Sequence, residues 1–261
     1  MLITAKTGAS SGYTPITAID GPHPQSLMDF GILRLRPGEA HHTLPGKERA
    51  YLLLHGACEV TFDGIPSVME RSSVFDEPPW CLSLPADASA DVLALDSGAE
   101  LAVHATVNPR RFGPRLYTPA ECRSEERGKG TMRETSTRIV RTILEDPGAS
   151  HSNLVLGEVI TYPGKWSSYP PHHHPQPEIY HYRFLPESGF GVAVVGDTAH
   201  VVRHGDTLLI PPETSHPQAS APGYAMYYLW VIRHLDGNRY STPVFEPQHL
   251  WVTDPAAAIW P

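Results

Sequence analysis

Proline and glycine interrupt this chain so often that its ordered elements must be short. There are 27 Pro and 21 Gly among 261 residues. Such punctuation disfavours a helical bundle and favours many strands joined by turns. Between the breaks lie alternating or apolar runs such as LMDFGILRLRPGE, SSVFDEPPWCLSLPAD, NLVLGEVITYPGKWSS, GDTLLIP and YAMYYLWVIRH. Turn signals recur at roughly the 8–12-residue spacing of β-sandwiches and barrels. The run AYLLLHGACEVTFDG reads as two short strands joined at His55-Gly56 and closed by Asp63-Gly64.

Two β-rich stretches are separated by a segment of different character. Residues 1–108 are expected to form an N-terminal barrel and residues 151–261 a second barrel with a tail. Residues 109–150, charged and poor in large apolar side chains, read as an irregular connector with a short helix near Pro119-Ala120-Glu121. The halves repeat weakly: a Pro-Gly turn, a hairpin, then Leu84-Pro85 in one and Ile210-Pro211 in the other. Duplicated small β-barrels are the simplest account.

Bulk properties narrow the function classes. Hydrophobic residues make up 41% and charged residues 18%, enough for a packed core. A formal net charge of -8 argues against general nucleic-acid binding, which needs clustered Lys and Arg. No apolar run approaches the length of about 18 residues that a membrane helix requires. Cys58, Cys81 and Cys122 are isolated and odd in number, and the N-terminus lacks a signal-like apolar core. Together these features predict a cytoplasmic protein.

The chemistry is concentrated in the second half. On a strand, side chains two apart share a face, so His172 and His174 point together while His173 points away. Pro175-Gln176-Pro177 then turns the chain, and Glu178 opens the next strand. Gly205-Asp206, an apolar strand and Pro211-Pro212 deliver His216. Three imidazoles and a carboxylate suit one divalent metal ion, with zinc, manganese and iron all compatible. A surface histidine run is the bland alternative, but it leaves Glu178 and the separate Gly-Pro-His block unexplained. The first half has no equivalent set: His41-His42 and Glu48 are wrongly spaced, and that barrel reads as structural. Together these residues resemble the two-block cupin pattern. The second block keeps its Gly, Pro and His spacing, whereas Glu213 stands where that pattern usually has Gly.

Longer strings narrow the resemblance. GKWSSYPPHHH, RGKGTMR, PEIYHYRF, LLIPPETSHPQASAPGYAMYYLWV and EPQHLWV, with SVFDEPPWCLSLPAD and GAELAV in the first half, resemble the 5-deoxy-glucuronate isomerase family of myo-inositol catabolism. The likeness spans nearly the whole chain. It implies an all-β bicupin: two tandem double-stranded β-helix (jelly-roll) barrels with the metal only in the second. It also implies an intramolecular oxidoreductase that interconverts an aldose and a ketose, with a small deoxy uronic acid as substrate. Tyr180-His181-Tyr182-Arg183 replaces the family's usual Tyr-Tyr-His-Arg, and Trp230 is followed by Val231-Ile232-Arg233. Both features lean toward the sister family, 5-keto-4-deoxyuronate isomerase.

Such chemistry needs a proton carrier and a cation for the substrate carboxylate. Period two from Glu178 sends Tyr180 and Tyr182 inward, as pocket-lining candidates for catalysis or as core aromatics. Tyr228 shares a face with Trp230 and is a substrate-binding candidate. Arg183 is a candidate carboxylate clamp, although parity puts it with His181 on the other face. Lys129, beside Arg127 in the connector, could reach the barrel mouth. An iron-dependent cupin dioxygenase and a non-catalytic sugar-binding cupin remain as rivals with the same ligands. Exposed barrel edges are compatible with a homo-oligomer.

Overall fold

The computed structural model describes residues 1–5 and 10–260. Its regular structure is almost entirely antiparallel strand, and among the described residues the helical segments are four short 3-10 turns. Contacts divide the chain into two compact units. One comprises Lys6–Arg123 with Ile143–Leu154; the other comprises Met1–Ala5, Ser124–Thr142 and Val155–Pro261. The segment expected to be a connector is therefore divided between the units. It also contributes strands Arg115–Tyr117, Arg123–Arg127 and Arg138–Leu144, besides the 3-10 turn Pro119–Glu121, so it is far less irregular than its composition suggests. Charge does not bar such segments from a sheet when they lie at its edge, where one face stays wet. The residues of Arg123–Arg127 are mostly exposed at the end of their sheet.

In the first unit, strands Gly12–Thr17, Asp29–Leu35, Ala90–Thr106, Glu48–Phe62, Cys81–Leu84 and Arg115–Tyr117 pair in that order. Glu48–Phe62 is one strand and not the two expected. Its register shifts at Leu53/His55 and Gly56/Cys58 are bulges that bend it. Gly56 makes this bend at φ +90, and a Cβ there would lie 2.1 Å from the Gly98 carbonyl. Asp63-Gly64 closes the hairpin as expected, with φ of 50 and 74 between the paired residues Phe62 and Ile65. The inner face is apolar, with Leu33, Tyr51, Leu53, Val60, Leu101 and Val103 at its centre. Glu48 lies outside this cluster and binds Asn108, Ser152 and the Asn153 amide, while His42 pairs with Asp91 at the surface.

The second unit has a seven-stranded sheet in the order Leu2–Ile3, Thr207–Ile210, Glu178–Leu185, Ala225–Arg233, Leu154–Thr161, Arg138–Leu144 and Arg123–Arg127. A second sheet contains Trp166–Ser167, Gln218–Ser220, Phe190–Val195 and Thr198–Arg203. The first residues of the chain thus cap an edge of the C-terminal barrel. The Met1 amine donates to the Leu209 carbonyl at 2.7 Å, and the Ala5 amide donates to Asp206 Oδ1 at 2.9 Å. Val140, Val159, Tyr180, Tyr182, Phe184 and Tyr228 lie on the inner face. Gly157 makes room for Trp230, whose Cζ2 lies 2.4 Å from where a Cβ would stand.

Glu213, at the turn where the cupin pattern usually has Gly, keeps the left-handed conformation at φ 55. Its amide donates to the His174 carbonyl at 2.8 Å, and its side chain pairs with His173. The left-handed region costs an L-residue about 1–2 kcal/mol, and an exposed ion pair returns less than that. Glu213→Gly is therefore expected to raise stability by about 1 kcal/mol in urea unfolding. A loss of stability would mean that the His173 contact outweighs the backbone strain.

His104, in the first unit, is fully buried and stacked on Phe30 at 5.0 Å, and neither ring nitrogen has a hydrogen-bond partner among the described residues. Burial pushes its pKa down to about 3. Below about pH 6.5 the unfolded chain takes up a proton that the folded chain refuses. Stability should therefore fall by about 1.4 kcal/mol per pH unit on acidification from there toward pH 3. His104→Phe keeps the stack and removes two unpaired nitrogens. It should stabilise the protein by about 1–3 kcal/mol at neutral pH and flatten this acid loss. Unfolding measured at pH 7 and pH 5 tests both effects.

Candidate metal centre

Three loops and strand ends converge at one place in the second unit. His172 and His173 form a two-residue strand paired with Val244–Phe245. His174 follows, and the turn through Gln176 is tied down by its Nε2 donating to the Asn238 carbonyl at 2.8 Å. Glu178 begins its strand between Ile210 and Ile232. His216 lies beyond Pro211-Pro212, in a loop held by the Gly196 amide donating to the Ser215 carbonyl at 2.8 Å. The ligand atoms of His174, Glu178 and His216 all lie within 4.8 Å of one another, and all three residues are buried. His172 stands next to this trio, with its ring centroid 4.8 Å from that of His216. His173 faces away toward Glu213.

Each imidazole is oriented through its Nδ1. That atom lies 3.2 Å from the Pro170 carbonyl in His172, 3.0 Å from the Gln176 carbonyl in His174 and 2.8 Å from the Thr214 carbonyl in His216. A carbonyl only accepts, so Nδ1 must carry the proton, and a neutral ring then presents a lone pair at Nε2. The Nε2 atoms of His174 and His216 each stand 3.2 Å from Glu178 Oε2. The His216 Nε2 is buried and makes no hydrogen bond of acceptable geometry. Burial pushes His172 down to about 4, which keeps its ring neutral. Two imidazole lone pairs and an anionic oxygen directed at one point repel each other until a cation joins them, so these residues fit a divalent metal ion.

Behind the ligands lies a cluster of hydroxyl groups. Ser168 Oγ is 3.1 Å from Tyr180 Oη and 3.2 Å from Tyr228 Oη, and Tyr228 Oη donates to Ser167 Oγ at 3.1 Å. The rings of Tyr180 and Tyr228 stack at 4.4 Å, and that of Tyr180 reaches 5.8 Å from His216. Ser168 holds this place with a left-handed backbone, φ 51, strain of a kind that persists where the surroundings enforce it. Tyr182 Oη donates to Gln218 Oε1 at 2.6 Å, and Gln218 Nε2 donates to the His216 carbonyl at 2.7 Å. Burial raises the pKa of all three tyrosines, so their phenols stay protonated.

The expected cations are placed elsewhere. Lys129 is exposed and paired with Glu126 at 2.7 Å, and Arg127 pairs with Glu125. Arg183 is the register partner of Tyr227, on the face opposite to Tyr182 and Tyr228. Sequence reasoning overlooked Ser167, Ser168, Gln218 and Arg138. The left-handed turn in Trp166-Ser167-Ser168-Tyr169 has no glycine to announce it.

Residues 1–252 match the KduI/IolB family. The chain is 34% identical over 209 residues to a 5-deoxy-glucuronate isomerase of Geobacillus thermodenitrificans, covering 70% of each chain. It is 32% identical over 228 residues to a protein of the same name from Geobacillus kaustophilus, covering 80% of this chain and 79% of that one. The crystal structure of an IolB-like protein from Salmonella typhimurium LT2 superposes with a TM-score of 0.82 at 28% identity, over 96% of this chain and 98% of that one. Oxalate decarboxylase of Bacillus subtilis shares the fold at 13% identity and a TM-score of 0.67, over 93% and 78% of the two chains. The chain is a bicupin and belongs to the KduI/IolB family.

Proposed function

We propose that this protein is a metal-dependent aldose–ketose isomerase that converts 5-deoxy-glucuronate to 5-dehydro-2-deoxy-gluconate. The observation that carries this reading is the convergence of His174, His216 and Glu178 beside buried hydroxyls, in a chain whose relatives bear the isomerase name. His174, Glu178 and His216 would hold one divalent ion, with His172 as fourth ligand; zinc, manganese and iron all suit the donor set. A bound ion of this kind supplies Lewis-acid stabilisation of negative charge on a substrate oxygen. The first barrel, with its apolar interior, serves as scaffold.

In this isomerisation C2 loses a proton, C1 gains one, and a hydroxyl proton passes from O2 to O1. Tyr180 is the chain's candidate for the oxygen-to-oxygen transfer. Its phenol is protonated, sits nearest His216 and is linked through Ser168 to Tyr228, so a proton given up can be replaced. Tyr182 acts through Gln218 on the His216 loop and is a positioning residue. The Tyr180-His181-Tyr182 order and Trp230 favour 5-keto-4-deoxyuronate as the second substrate to try.

The test is anaerobic incubation of metal-loaded protein with 5-deoxy-glucuronate in deuterated water, followed by NMR. Ketose should form with deuterium at the carbon that receives the proton. His174→Ala should abolish turnover and lower metal affinity by more than the roughly 10–100-fold lost with an outer-shell partner, as read by metal analysis after dialysis. No ketose from either uronate would sink the isomerase reading, and turnover only in air would favour an oxygenase. Tyr180→Phe should cost roughly 100-fold or more in kcat with metal content unchanged. An unaltered kcat would remove Tyr180 from proton transfer.

A further inference from the structure

An isomerase of a uronic acid must hold a carboxylate in a largely dehydrated barrel, and a buried anion needs a buried cation. Arg138, a half-buried cation, is placed to meet that need. It begins the strand Arg138–Leu144, two residues before Val140, which belongs to the inner cluster of the second barrel. Side chains two apart share a face, so Arg138 points to the same interior as Tyr180 and Tyr228. These two phenols are among the groups that act on it electrostatically, and its own burial pushes its pKa down.

What distinguishes Arg138 is its lack of a carboxylate. Its Nη1 donates to the Ser136 carbonyl at 2.7 Å and to Ser136 Oγ at 3.0 Å. Its Nη2 reaches the Tyr169 carbonyl only at 3.5 Å, beyond the range of a good hydrogen bond. Among the described residues it makes no ion pair, whereas Arg127, Lys129 and Arg141 each have a glutamate. A half-buried guanidinium with only neutral partners keeps a desolvation cost that an incoming carboxylate would offset. Its planar fork suits a bidentate grip.

The Arg127-Gly128-Lys129-Gly130 loop fits this arrangement without a direct role for Lys129. Gly128 has φ +83, and a Cβ there would stand 2.3 Å from the Ser136 carbonyl and 3.2 Å from Arg138 Nη1. The glycine lets the loop close over the segment that orients the guanidinium.

We infer that Arg138, near Tyr180 and Tyr228 on the inner face of the C-terminal barrel, is the specificity-determining cation that binds the substrate carboxylate. This assignment rests on the isomerase reading for the identity of the substrate. Its physical content is selectivity for a carboxylate at that position in the barrel, which can be measured without turnover.

Calorimetric titration of metal-loaded protein with D-glucuronate and with D-glucuronamide provides the probe. Wild type should prefer the carboxylate by roughly 10- to 150-fold, the value of a hydrogen bond to a charged group. Arg138→Met should lose that preference. Arg138→Lys, which keeps the charge but not the fork, should retain only part of it. Equal binding of the two probes by wild type, or a preference that survives in Arg138→Met, overturns the assignment. Turnover of 5-deoxy-glucuronate by the same proteins separates the two readings. An inactive wild type whose carboxylate preference disappears with Arg138 sinks the isomerase and keeps the clamp. An active wild type whose KM is unchanged in Arg138→Met does the reverse. If Arg138→Met does not fold, Arg138→Lys decides: the clamp requires KM to rise roughly tenfold with metal content unchanged.

Discussion

In the core of the second barrel, one carboxylate oxygen of Glu178 stands 3.2 Å from an imidazole nitrogen of His174 and from one of His216. Much of that barrel is arranged to keep them there. Backbone carbonyls of Pro170, Gln176 and Thr214 take the Nδ1 protons and turn the other nitrogens inward. Glu178 is clamped between two strands, and Tyr182 reaches through Gln218 to the backbone of His216. None of these supports is a ligand, yet each limits how far the ligand atoms can relax from one another. A site maintained against its own repulsion is prepared for a cation.

The surroundings of that centre carry backbone strain of a matching kind. Ser168 and Glu213 both adopt left-handed conformations without being glycine. The first places a hydroxyl between two phenols, and the second ties the His174 and His216 loops together through its amide. The strain at Ser168 and Glu213 and the desolvated charge of Arg138 lie in the second barrel. The first barrel is apolar within, and among its costs is the buried imidazole of His104, which has no hydrogen-bond partner among the described residues.

The convergent donors His174, Glu178 and His216 were legible in the sequence because their spacing follows rules of local geometry. Period two separates His172 and His174 from His173, and the Gly205, Pro211 and His216 spacing delivers the last imidazole. The inward direction of Tyr180, Tyr182 and Tyr228 follows from the same alternation. Harder to read were residues whose meaning depends on a distant partner. Arg138 lies in a charged stretch that composition marked as a connector, and only pairing into the sheet next to Leu154–Thr161 turns it toward the barrel interior. A local turn directs Lys129 to Glu126, whereas the placement of Arg183 on the opposite face follows from strand parity. The supposed break at His55-Gly56 is a bend, because a bulge and a reversing turn use the same residue types.

By itself the sequence determined the all-β class, the doubled barrel and the donor set for a metal, since periodicity, turn chemistry and ligand spacing are properties of short segments. Tertiary structure alone decided that the first five residues complete the second barrel, that Ser168 links Tyr180 to Tyr228, and that Arg138 has no carboxylate partner among the described residues. Those outcomes depend on which strand edges find partners and which charges are neutralised, and such pairings join residues tens to hundreds of positions apart.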